Sequence, residues 1–265
     1  LHKVPRHLKV CRLLKGIGII MIRFIFVVLF VVLFLILSTP LMLVEWIIGK
    51  FNPGLKDRSS LAIVNWAFRW VIRLSGTKVI AIGEENIPTD TAVLYVGNHR
   101  SFFDVVLTYV RVPRPTGYIA KKEMLKWPLL NIWMKDLHCL FLDRQDIKAG
   151  LKTILQAIEK AKNGISICIF PEGTRNKGEE LSLLPFHNGS FKIAEKTGCP
   201  IIPMSLNNTC DIFEGHFPFI KKTHVILEYG KPIYPKELDK DEKKRIGEYC
   251  SNIISETIHK NQALV

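Results

Sequence analysis

The chain has 265 residues, 48% of them hydrophobic and 23% charged, enough for one sizeable core or for one domain with an appendage. Its formal net charge of +13 asks for a polyanionic partner: nucleic acid, anionic lipid or a phosphorylated substrate. Zinc-ligand spacing, a basic coiled coil and an aromatic RNA-binding signature are all missing, which excludes the legible nucleic-acid modules, and the apolar N-terminus turns the charge toward headgroups and phosphate-bearing ligands.

Residues 1–23 carry Lys3, Arg6, Lys9, Arg12, Lys15 and Arg23, and no acid precedes Glu45. The apolar run Phe24 to Leu37 follows, and Ser38-Thr39-Pro40 makes a poor cleavage site, so the segment is expected to be retained. Counted from Ile17 to Leu37, it reaches the roughly twenty residues of a spanning helix, with its positive flank cytoplasmic. A single crossing would set the rest of the chain on the far side from that flank, whereas its scattered cysteines read as those of a reducing compartment. Pro40 and Pro53, with Gly49 and Gly54, offer break points for a hairpin that enters the membrane and returns. The next apolar stretch, Leu61 to Leu74, has Asn65, Arg69 and Arg73 spaced by four with Trp66 and Trp70 beside them, a pattern suited to the headgroup boundary, with a buried core helix as the alternative. The expectation is a membrane-embedded helical hairpin within residues 1–77, with the following domain on the cytoplasmic face.

From Lys78 the pattern changes to α/β. Strands are expected at Val79–Ile82, Ala92–Val96, Gly117–Ala120, Cys139–Leu142, Ile165–Phe170, Ile201–Leu206 and Val225–Tyr229. Helices are expected at Phe103–Tyr109, Glu123–Met134, Ile147–Lys162, Gly189–Lys196 and Asp241–His259. The alternation predicts a mixed, largely parallel sheet flanked by helices, forming one domain over residues 78–265. The six cysteines, Cys11, Cys139, Cys168, Cys199, Cys210 and Cys250, form no C-x-x-C pair and read as small buried hydrophobes, not as a disulfide frame or a zinc site.

Two stretches carry chemistry. Asn98-His99-Arg100-Ser101-Phe102-Phe103-Asp104 leaves a buried strand and enters a helix, with Ser101 and Asp104 spaced as a capping box. His99 just outside that helix and Asp104 in its first turn can meet, because a helical side chain leans toward the N-terminus. A carboxylate on one ring nitrogen leaves the other free to take a proton. The second stretch, Pro171-Glu172-Gly173-Thr174-Arg175, follows the strand ending at Phe170. Ligands bind at the carboxyl ends of strands in open α/β sheets, so both stretches could face one crevice. Ser101 as a nucleophile is the weaker reading, since no G-x-S-x-G elbow occurs, and His187 as a base has no carboxylate nearby in sequence. No third ligand at metal spacing accompanies His99.

The pairing of Asn98-His99-x-Ser101-x-x-Asp104 with Phe170-Pro171-Glu172-Gly173-Thr174-Arg175 resembles the 1-acylglycerol-3-phosphate acyltransferases. Leu140-Phe141-Leu142-Asp143-Arg144 and Ile202-Pro203-Met204-Ser205-Leu206 agree in order and spacing, so the likeness spans roughly residues 60–235. It implies transfer of an acyl group from a thioester, acyl-CoA or acyl carrier protein, to the sn-2 hydroxyl of 1-acylglycerol 3-phosphate, giving phosphatidic acid with no cofactor. It also implies the same membrane anchor. His99 would be the base and Asp104 its orienting partner, with direct attack and no acyl-enzyme. Arg175 would grip the acceptor phosphate and Gly173 would admit its backbone, with Thr174 in the same segment. Glu172 would bind a glycerol hydroxyl or orient Arg175, and Lys121 and Arg144 would add phosphate contacts. The alternatives are the same chemistry on glycerol 3-phosphate or another lysophospholipid, or a membrane lipid-binding protein without turnover. One departure stands out: where the family commonly has a lysine before the glycine that follows Phe186, this chain has His187-Asn188-Gly189.

Overall fold

The computed structural model describes the backbone of residues 6–265 and side chains from Met21 onward. Cys11, the cations of the N-terminal flank before Arg23, and the first residues of the expected spanning run therefore lie outside the described side chains.

Three helices open the chain: α1 (Arg6–Leu37), α2 (Thr39–Phe51) and α3 (Pro53–Ser75). The breaks fall where the sequence puts proline at a first helical turn, Pro40 after Ser38 and Pro53 after Asn52. Asn52 caps α3 by accepting from the Leu55 N–H at 3.0 Å, and Gly76 ends it in the left-handed region at φ 72°. Among the described residues no single helix is long and apolar enough to cross a membrane; the pair Met21–Leu37 and Thr39–Phe51 is, but it is bent by 49°. Most of the apolar surface of that pair is exposed, including Ile25, Phe26, Leu29, Leu33 and Ile36 on α1 and Leu43, Trp46 and Ile47 on α2. Val27, Met42 and Glu45 are buried, and the Glu45 carboxylate accepts from the Ser59 and Ser60 hydroxyls at 2.8 and 2.9 Å, which clasps α2 to α3. The stretch Leu61–Leu74 lies within α3 and packs on the sheet through Leu61, Val64 and Val71. Asn65 is buried while Trp66 is exposed, so the expected polar stripe does not mark one wet face.

Seven strands form the sheet: β1 (Lys78–Ile82), β2 (Leu94–Gly97), β3 (Thr116–Lys121), β4 (Leu140–Leu142), β5 (Ser166–Ile169), β6 (Ile201–Asn207) and β7 (His224–Tyr229), in the order β1-β7-β6-β2-β5-β3-β4. All pairings are parallel except β6 with β7. The mixed, largely parallel sheet expected from the sequence is the one observed. Alternation along β2 divides the core: Val93 and Tyr95 face α2, α3, α4 (Phe103–Tyr109) and α5 (Leu130–Asp136). Leu94 and Val96 face α6 (Ile147–Lys162), α7 (Lys192–Thr197) and α9 (Ile246–Asn261), the last preceded by α8 (Lys240–Lys244).

Three expected helices are broken, Asp241–His259 among them, which divides at Arg245 (φ −115°, ψ 32°) into α8 and α9. The stretch Glu123–Met134 divides into a 3₁₀ segment at Lys122–Lys126 and α5, because Pro128 pushes Trp127 into an extended conformation. Gly189–Lys196 likewise begins as 3₁₀ at Asn188–Phe191 before α7. The four cysteines Cys139, Cys168, Cys199 and Cys250 are buried and free, and burial pushes the Cys139 thiol up to about 11 and that of Cys250 up to about 12.

Candidate active site

Strands β2 and β5 are adjacent and parallel, with Val96 opposite Ile169. The loops that leave their carboxyl ends therefore run side by side, and His99 and Glu172 stand three positions beyond paired residues. The Glu172 carboxylate uses that proximity. Its Oε1 accepts from the His99 N–H at 2.7 Å and its Oε2 from the Leu184 N–H at 2.9 Å. Glu172 is only 4% exposed, and burial raises its pKa while the two N–H donors pull it back. It makes no hydrogen bond to Arg175, and both oxygens are engaged by backbone. A direct orienting contact to Arg175 is therefore not what the structure shows; the carboxylate braces the His99 loop instead.

His99 Nδ1 lies 2.8 Å from Asp104 Oδ2. Asp104 is fully buried, and the same oxygen accepts from the Arg100 and Ser101 N–H groups at 2.7 and 2.8 Å. With Nδ1 donating to the carboxylate, Nε2 is left free. The imidazole is stacked on Phe170 at 4.4 Å and 16°, so ring and carboxylate together fix its orientation. Two further anchors hold the turn. The Asn98 side chain pairs with both the N–H and the carbonyl of Leu206 on β6, and the buried Arg100 guanidinium donates to the carbonyls of Gly178 and Glu179. The cap differs from the expected box by one residue. α4 begins at Phe103, Ser101 Oγ accepts from the Phe103 N–H at 3.0 Å, and the Asp104 carboxylate reaches back to Ser101 N–H.

Arg175 crosses toward the same turn. Its guanidinium lies 3.7 Å from the centre of the Phe102 ring, and Nη1 donates to Glu214 Oε1 at 2.8 Å. Gly173 has φ of 69°, and a Cβ there would stand 3.2 Å from the His187 ring, so this position requires glycine. Thr174 is exposed. Beyond Phe170 opens a cleft of about 740 Å³ lined by Leu142, Arg144, Ile147, Leu151, Gly173 and His187. On α6 the exposed residues Ile147, Leu151 and Leu155 recur every fourth position and give that cleft an apolar wall.

A family model described as Acyltransferase matches residues 78–207. The 1-acyl-sn-glycerol-3-phosphate acyltransferase of Borreliella burgdorferi is 32% identical over 189 residues, 71% of this chain and 75% of that protein. The enzyme of the same name from Haemophilus influenzae is 32% identical over 209 residues, 77% of this chain and 83% of its own. The chain belongs to the 1-acylglycerol-3-phosphate acyltransferase family. The fold agrees as well: the crystal structure of the 1-acyl-sn-glycerophosphate acyltransferase of Thermotoga maritima superposes with a TM-score of 0.79, covering 94% of this chain and 99% of that one at 23% identity.

Within this acyltransferase the sequence-predicted residues divide. His99, Asp104, Glu172 and Arg175 are brought together around one turn. Arg144 stands exposed at the cleft beyond Phe170, and Lys121 is apart from both, exposed and 3.5 Å from Glu123. Its neighbour Lys122 is the one tied to the Asp143 carboxylate next to Arg144. Sequence reasoning assigned nothing to Arg100 or Glu214. Arg100 lay in view inside the first motif, whereas Glu214, 39 positions beyond Arg175, carried no local signal.

Proposed function

We propose that the protein transfers a fatty acyl group from a thioester to the free sn-2 hydroxyl of 1-acylglycerol 3-phosphate, giving phosphatidic acid. His99 Nε2 takes the hydroxyl proton while the oxygen attacks the thioester carbonyl; an O–C bond forms and the C–S bond breaks. The imidazolium, held by the fully buried Asp104, then returns its proton to the leaving thiolate. Arg175 offers the acceptor phosphate the guanidinium donors that Glu214 does not use. The apolar wall of α6 receives the acyl chain, with Arg144 at the rim and Lys121 further out as cations for the phosphorylated end of the donor, coenzyme A or acyl carrier protein. The relatives named above share this activity by name.

The exposed apolar faces of α1 and α2 support a chain that works at a membrane, residues 1–77 anchoring the α/β unit 78–265 on the cytoplasmic side. That location suits an acceptor already carrying an acyl chain.

The observation that carries this reading is the His99 Nδ1 to Asp104 Oδ2 contact, which leaves Nε2 free, on the turn whose Phe102 ring meets the Arg175 guanidinium. It is tested with purified protein, acyl thioester and a panel of acceptors, run beside His99→Ala. Turnover is expected to fall by about 10² or more on removing a general base. Unchanged turnover in the variant, or a wild type that acylates none of the phosphorylated acceptors, rejects the proposal.

A further inference from the structure

We propose that Glu214 is a positioning residue of this site, holding the Arg175 guanidinium and the Ser101–Phe102 turn as one unit, so that the phosphate anchor stands at a set distance from the base. The inference rests on the reading of Arg175 as the ligand of the acceptor phosphate.

Glu214 comes from the loop between β6 and β7, remote in sequence from both motifs, yet it touches both. Its Oε1 accepts from Arg175 Nη1 at 2.8 Å and from the Phe102 N–H at 2.8 Å. Its Oε2 accepts from the Ser101 hydroxyl at 2.6 Å. The guanidinium is thereby fixed on an edge by the carboxylate and on a face by the Phe102 ring, 3.7 Å away. One nitrogen is occupied, and the rest of a five-donor fork remains for a phosphate. The contacts continue inward: the Ser101 N–H donates to Asp104 Oδ2, the oxygen that holds His99. One carboxylate thus ties the group that grips phosphate to the group that takes the proton.

The acceptor's chemistry explains why that tie matters. Its free hydroxyl and its phosphate sit on neighbouring carbons, so the separation between base and phosphate anchor has little slack. The loop carrying Glu214 is itself secured, with Phe213 stacked on Phe24 of α1 at 6.0 Å and 10°, and Asp211 paired to Lys221 at 2.9 Å. A different job for the same carboxylate would be to occupy the guanidinium in place of the phosphate and be displaced by it. That job predicts tighter acceptor binding when the charge is removed, the opposite sign.

The experiment measures kcat and the two KM values, for acceptor and for thioester, in wild type, Glu214→Gln, Glu214→Asp, Arg175→Ala and the Glu214→Gln/Arg175→Ala double variant, with thermal unfolding of each. Glutamine keeps size and an acceptor oxygen, so folding is retained. Glu214→Gln is expected to raise the acceptor KM about tenfold or more and leave the thioester KM unchanged, the scale for loosening a positioned group. Glu214→Asp recovers part of the loss, and in the Arg175→Ala background the substitution adds little further to the acceptor KM. An acceptor KM that stays level or falls, a drop in kcat alone, or full additivity with Arg175→Ala overturns the proposal. If Arg175→Ala raises the acceptor KM and Glu214→Gln does not, only the role of Glu214 is lost. If Arg175→Ala leaves that KM unchanged, the phosphate reading falls and takes the positioning role with it.

Discussion

Replacing Glu172 by glutamine should cost both stability and turnover, although the substitution changes almost no volume. The carboxylate answers two backbone donors, His99 N–H at 2.7 Å and Leu184 N–H at 2.9 Å, in a site 4% exposed. An amide has one oxygen, so its NH₂ must confront whichever N–H the oxygen does not serve, with no room to turn toward water. Losing one hydrogen bond to a charged acceptor is worth about 1.5–3 kcal/mol. Relief of desolvation works in the other direction, because burial already raises the Glu172 pKa. The net expectation is a loss of about 1–3 kcal/mol, read as a fall in Tm of about 2–4 °C per kcal/mol for a chain of this size. The raised pKa also fixes a sign. The native state holds this proton more tightly than the unfolded chain does, so stability declines as pH rises through the window above the ordinary value of 4.5, and the glutamine variant lacks that slope. Because one of the two donors is the His99 backbone, kcat should fall more than tenfold, given that displacing a reacting group by about 1 Å can cost 10². Thermal unfolding in detergent and an acyl-transfer assay on the same preparation provide the check. A Tm within about 1 °C of wild type together with unchanged kcat would refute the argument that this carboxylate braces the loop.

Two further outcomes follow from groups outside that brace. His138 lies 2.9 Å from Asp57 on α3 and 3.1 Å from Lys160 on α6, and burial with the nearby lysine holds its pKa below 6.5 despite the aspartate. Its contribution is therefore present above pH 6.5 and lost as pH falls toward the lower native value, so wild type should lose more stability than His138→Asn in denaturant titrations run from neutral to mildly acid pH. Equal slopes for the two proteins would contradict it. Leu151 is 60% exposed on the cleft wall, so Leu151→Gln should leave stability within about 0.5 kcal/mol. The same change should raise KM about fivefold for long-chain thioesters, for a lost contact of about one CH₂, and leave short-chain donors alone. An equal effect at all chain lengths would separate the cleft from the acyl chain.

Most strands were readable because they are short runs rich in Val, Ile and Leu, several of them closed by glycine or proline, and the central strands, buried on both faces, leave such runs unbroken. Helix ends were readable where a cap or a proline acts locally, as at Asp146, whose side chain accepts from the Lys148 and Ala149 N–H groups. They were misread where Pro128 acts on the residue before it. His99 and Asp104 are five residues apart and joined by one turn, so their meeting follows from helix geometry alone. Glu172 lies at the site, as its place after β5 implies, but its carboxylate reaches the His99 and Leu184 backbone and not Arg175. A sequence gives a carboxylate its charge but not its direction, and the direction here comes from the register of β2 against β5, which sets His99 and Glu172 at matching distances from Val96 and Ile169.

Arg175 marks where local reasoning stops. Its position after β5 was visible, but its aim depends on Phe102 from one loop and Glu214 from another, and neither spacing is a period of helix or strand. A guanidinium on a flexible stem has no intrinsic direction; it acquires one only from groups that hold it on more than one side. The side chains that act on substrate can be found from their chemistry within short motifs. Those that aim them are recruited by strand order, and strand order is decided by the packing of the whole sheet.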